Sequence, residues 1–140
     1  MLEENKIEKG GKSMDFREIA KTNFSQWADA LKTKDPKVMA EFYSENCTFL
    51  PTLSPDFKKG AIEAEGYFVH FLEKNPEASI KDQSIQLLGS NSYLHSGMYD
   101  FEVGSNGDRQ MVHARFSYVW EKQPDGRWKI IHHHSSLKPE

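Results

Sequence analysis

The chain has 140 residues and a formal net charge of −3. That length suits one domain with a single core, and the absence of a basic stripe argues against a nucleic-acid surface. Its one cysteine, Cys47, excludes an internal disulfide and fits a reducing compartment. No apolar run approaches the ~20 residues that span a bilayer, and the first residues lack the apolar core of an export signal. The expected location is the cytoplasm, with neither membrane nor nucleic acid as partner.

Residues 1–14, MLEENKIEKGGKSM, are mostly charged or glycine and read as a disordered or appended tail. The domain proper is 15–140. Asp15 is placed to cap a helix, with Glu18 three residues on to close a capping box. Phe16, Ile19, Ala20, Phe24, Trp27 and Leu31 then recur at helical spacing. Asp35-Pro36 starts a second helix, because Asp caps and Pro needs no amide partner at the first position. That helix carries Val38, Met39, Phe42 and Tyr43 and is expected to stop near 44–46. Cys47–Leu50 reads as a strand that Pro51 confines to an edge or ends. The stretch PTLSPDFKKG is a loop, and a third helix follows over 61–74 until Asn75-Pro76 ends it.

Beyond Pro76 the apolar period changes from 3.6 to 2, which predicts strands at 78–88, 92–103, 109–122 and 127–136. They are joined by the turn signals Gly89-Ser90-Asn91, Ser105-Asn106-Gly107-Asp108 and Pro124-Asp125-Gly126. On the third of these strands, Val112, Ala114, Phe116, Tyr118 and Trp120 share one face. Helices first and an antiparallel meander afterwards make an α+β fold, three helices packed on a curved sheet.

The C-terminal residues narrow this further. Tyr118-Val119-Trp120, the turn Asp125-Gly126-Arg127-Trp128, and Ile131-His132-His133-His134-Ser135-Ser136 before Pro139 resemble the association (hub) domain of calcium/calmodulin-dependent protein kinase II. That family belongs to the nuclear transport factor 2-like, or SnoaL-like, superfamily. The resemblance implies a cone with an interior pocket and self-association as a dimer or a larger ring. It also implies a small, often anionic ligand. The arginines lining the hub's pocket align with Met98, Tyr118 and Ser135, none of which is arginine, so the anion chemistry does not transfer. No kinase domain is present, since the chain lacks a kinase's Gly-rich and catalytic-loop motifs.

Several residues are candidates for chemistry. His132 and His134 share a strand face and could offer two metal ligands, with His113 on the adjoining strand as a third. Packing or interface roles are the simpler reading, so no metal and no cofactor are expected. Superfamily isomerases and cyclases use a carboxylate base in the cone. Asp100 is the candidate base here, with Tyr118 or His133 as the acid or oxyanion donor, and His133 is the other candidate base. Tyr99, Phe101 and Val103, however, form the core-facing set, which puts Asp100 and Glu102 on the outer face. Cys47 has no base beside it in sequence and reads as a small buried residue. Trp120 and Trp128 would form an interface patch if their face is the outer one. The expectation is a homo-oligomeric, hub-like binding module with a ligand pocket of Met98, Tyr118, His133 and Ser135. The alternative is a small SnoaL-like enzyme using Asp100 or His133.

Overall fold

A computed structural model describes residues 6–9 and 12–140. Within the span read as a tail, β1 (Lys6–Lys9) pairs antiparallel with β2 (Lys12–Asp15); residues 1–5, 10 and 11 lie outside the described residues. α1 (Phe16–Leu31) begins as expected, with the Asp15 carboxylate accepting from the Arg17 amide. Phe16, Ala20, Phe24, Trp27 and Leu31 form its buried stripe. Asp35 caps α2 (Pro36–Ala40) through the Lys37 amide.

α2 ends sooner than its apolar spacing predicts. The Phe42 carbonyl accepts from the Ile130 amide at 2.7 Å, which draws Tyr43 into β3 (Tyr43–Leu50). Tertiary hydrogen bonding overrides local propensity here. β4 (Lys58–Lys59) is a short ribbon on the outer side of β3. α3 (Gly60–Phe71) follows and tightens into a 3₁₀ turn at Leu72–Lys74, closed by Asn75 at φ 53°.

The four expected strands are β5 (Glu77–Gly89), β6 (Ser92–Ser105), β7 (Asp108–Lys122) and β8 (Trp128–Leu137). The six-stranded sheet runs β4-β3-β8-β7-β6-β5. β3 lies parallel to β8, while β5 to β8 are antiparallel neighbours. Gly97 lies where β5 shifts register between Ile80 and Asp82. A Cβ at Gly97 would meet the Asp82 carbonyl at 2.0 Å. Only glycine admits that approach, and such bulges bend a sheet. One face of the bent sheet closes over the helices, where buried rings from α1, α3, β3, β6 and β7 form a continuous aromatic core.

Candidate functional site

His133 sits at the centre of that core and is 2% exposed. Strand alternation turns it inward from β8, opposite Tyr118 of β7 and Phe49 of β3. Its ring stacks between them, with centroids 4.1 Å from Tyr118 and 4.8 Å from Phe49, and Trp27 meets it edge-on. Nδ1 lies 2.9 Å from the Tyr43 hydroxyl and Nε2 3.1 Å from the Tyr99 hydroxyl.

Trp27 fixes the direction of these bonds. Its Nε1–H can only donate, and it donates to the Tyr43 oxygen at 3.2 Å. The Tyr43 proton is then free for His133 Nδ1, which must accept. The Nε2–H donates to Tyr99, Tyr99 donates to Ser135 Oγ at 2.6 Å, and Ser135 meets the Thr52 hydroxyl. Every link is satisfied by a neutral imidazole. Burial, reinforced by the neighbouring His132 and His134, holds the His133 pKa well below its ordinary value. Burial likewise pushes the Tyr43, Tyr99 and Tyr118 hydroxyls upward.

The space left beside this chain is about 10 Å³, bordered by Trp27, Thr52, Tyr67, Phe71, His133 and Ser135. That is room for at most one water. The arrangement therefore holds hydroxyls and an imidazole in fixed mutual contact. It leaves neither nitrogen of His133 free to take a proton from a substrate.

The other expected residues fall into two groups. Tyr118 is inward and fully buried, and its hydroxyl has no partner among the described residues. Ser135 is inward and bonded as above. Met98 instead pairs in register with Arg115, while the next pair, Tyr99 with Ala114, is the buried one. Alternation therefore removes Met98 from the interior. Asp100 is also on the outer face, as its parity predicted, yet it is not freely solvated. His113 Nδ1 lies 2.7 Å from Oδ1 and Lys81 Nζ 3.8 Å from Oδ2, and the carboxylate is nearly covered. Asp100 and His133 thus stand on opposite faces of the sheet and cannot share a substrate.

His132 and His134 share the outer face, where His132 bonds Thr48 Oγ1 at 2.6 Å. His113 is engaged with Asp100 instead, and among the described residues no group of three or more such side chains suits a metal. Cys47 is buried, and burial raises its thiol pKa. Trp120 is buried beside Tyr118, and Trp128 packs on Phe16 and Tyr93. Among the described residues there is therefore no exposed tryptophan patch: Trp120 faces inward from β7, and Trp128 of β8 is half-buried. No helix among the described residues is long and apolar enough to cross a membrane.

Tyr43, Thr52 and Tyr67 were not singled out as site residues from the sequence, and Tyr99 was read only as core. The available signal was chemical: tyrosine on buried positions needs a partner for its hydroxyl, and a histidine in the same core supplies one.

The model of the calcium/calmodulin dependent protein kinase II association domain matches residues 15–139. The chain belongs to that family. A Xanthomonas campestris protein named for the same association domain is 36% identical, with a TM-score of 0.85 over 97% of this chain and 96% of its own. A nuclear transport factor 2-like superfamily protein from Salmonella enterica shares 20% identity and a TM-score of 0.74, over 89% and 92% of the two chains. A Streptomyces avermitilis protein described as a dehydratase of that superfamily shares 15% identity and a TM-score of 0.76, over 88% and 96%. The last two establish kinship of fold alone. No curated protein matches the chain. Among association domains and their superfamily, then, the cone is the shared scaffold; here its interior is closed and uncharged.

Proposed function

We propose that this association-domain protein is a self-assembly module without chemistry of its own, forming a homodimer or a larger ring through the outer face of its sheet. The observation that carries this reading is the family match across 15–139. The outer face supports it. Its centre, where Leu94 and Ser96 pair with Val119 and Ser117 and these with His132 and His134, carries no carboxylate, lysine or arginine. Its rim carries both signs, Arg115 and Lys129 against Glu102 and Glu121. A second copy related by a two-fold axis can set cation against anion there. The enzyme reading has no comparable support, since both nitrogens of His133 are bonded within the protein.

Light scattering over a range of concentrations tests the proposal. A stable dimer or ring is expected; a monomer at every concentration overturns it. Val119→Glu, which buries a charge at the centre of such an interface, is expected to give a folded species of lower mass.

A further inference from the structure

The outer face of the sheet holds two histidines that the core does not use. β8 and β7 are the two central strands of the six, and His132 and His134 share the outward side of β8. Two residues apart on a strand, their Cα atoms are separated by about 6.7 Å, a spacing from which two imidazoles can reach one metal ion. The pair is flanked by Val119 and Ser117 on β7 and by Thr48 and Leu50 on β3. No cation stands among these neighbours. Arg115 lies one outward pair further on, opposite Ser136, and reaches its Oγ at 3.5 Å. His132 is already oriented. Its Nδ1 lies 2.6 Å from Thr48 Oγ1, and that hydroxyl can accept the Nδ1 proton, which leaves the Nε2 lone pair for a metal. Metal-binding histidines are commonly held in this way through their other nitrogen. Burial, together with the charge that His134 carries when protonated, lowers the His132 pKa. His132 is therefore neutral at neutral pH, as a ligand must be. His134 beside it is exposed.

We infer that His132 and His134 of two copies, meeting across a two-fold axis, form a tetrahedral site for a zinc-class divalent ion. The inference rests on the assembly through the outer face proposed above. One chain supplies two ligands, and among the described residues no third completes a site within it. Zinc takes at least three protein ligands, and four in a closed site. An isologous interface sets the residues at its axis against their own copies, so two imidazoles become four with no further residue. The central position of β8 in the sheet puts the pair where such an axis would pass. The ligand type selects the metal. Neutral imidazoles suit zinc, copper and nickel, whereas calcium and magnesium require oxygen. Each chain carries a net charge of −3, so a divalent cation between two chains also offsets their mutual repulsion. His133 takes no part, because both of its nitrogens are bonded inside the core.

The test titrates the whole chain with cobalt(II), which stands in for zinc and absorbs strongly in the visible when tetrahedral. Mass is followed by light scattering, first in EDTA and then at each addition of metal. The band is expected to saturate at one ion for every two chains, and zinc to displace it. His134→Ala is expected to abolish the band. Thr48→Val, which frees the His132 ring, is expected to weaken binding about tenfold. His113→Ala, on the same face, is expected to leave the band unchanged. Saturation at one ion per chain overturns the shared site. A band that survives in His134→Ala, or that is lost in His113→Ala instead, overturns the assignment. A chain that is dimeric or larger in EDTA and gives no band with cobalt overturns the metal site while self-assembly stands. A chain that is monomeric with and without metal overturns both. The unaltered chain alone decides band and stoichiometry, so a variant that fails to fold leaves the test intact.

Discussion

His133 and its neighbours His132 and His134 are consecutive in sequence and belong to different environments. His133 is stacked between Phe49 and Tyr118 with both nitrogens bonded. His134 lies exposed on the outer face, and His132, half-buried there, reaches only Thr48. The difference follows from a side-chain period of two along a strand. Parity separates the inner face, where the polar groups around His133 bond one another, from the outer face, where they remain available to a partner. A run of three histidines is therefore one buried structural imidazole between two surface ones, not a motif.

The largest expected effect breaks the bend that creates two unlike faces. Gly97→Ala sets a Cβ against the Asp82 carbonyl at 2.0 Å, at φ 158°, and is expected to cost about 3 kcal/mol in urea unfolding. An effect of similar size comes from acid. Burial lowers the pKa of His95 from 6.5 to about 4. The unfolded chain therefore binds a proton that the folded chain refuses. The stability from His95 is fully present above pH 6.5 and is lost as pH falls toward 4, by about 3 kcal/mol. His133 shifts in the same direction. Urea midpoints from pH 7.5 to 4.5 measure the slope, and His95→Asn is expected to flatten it. Next, His133→Leu leaves the Tyr43 hydroxyl without its acceptor and Tyr99 without a donor, at a cost of about 2 kcal/mol. His134→Leu, one residue away, is expected to stay within about 0.5 kcal/mol. Equal costs for the two would refute the contrast between the faces. The smallest effect sharpens it: Ser117→Ala, uncharged on the outer face, is expected to leave both stability and assembly mass unchanged where Val119→Glu lowers the mass.

Much of the fold was legible because its signals are local. Asp15 and Asp35 announced their helices, Asn75-Pro76 ended the third, and the turns at Asn106-Gly107 and Asp125-Gly126 separated strands whose alternation put Phe116, Tyr118 and Trp120 on one face. Two features were not legible. β3 is parallel to β8, pairing Thr48 with His132 across 84 residues, and nothing near Cys47–Leu50 encodes a partner so distant. The same pairing shortens α2, whose spacing through Tyr43 is helical in isolation. Of the site, the inward parity of Tyr118, His133 and Ser135 could be read from the strand pattern. Met98 was drawn in by alignment to the hub's arginines against its own parity. Thr52 was hidden altogether, because a loop position gives no periodic cue to which side chain turns inward.

The parallel pairing also sets the order of events during folding. β3 precedes α3 and β5 to β7 in the chain, yet its inner edge is completed only by β8, the last strand of the sheet. Until β8 docks, Tyr43 and Phe49 lack His133 against which to stack, and the edge of β3 stays open to other strands. Closure thus depends on a contact of long sequence separation, the kind that slows a domain relative to one built from neighbouring hairpins. The meander β5 to β8 is built of neighbouring hairpins, whereas the seam between β3 and β8, where Phe49 meets His133, joins segments far apart in the chain.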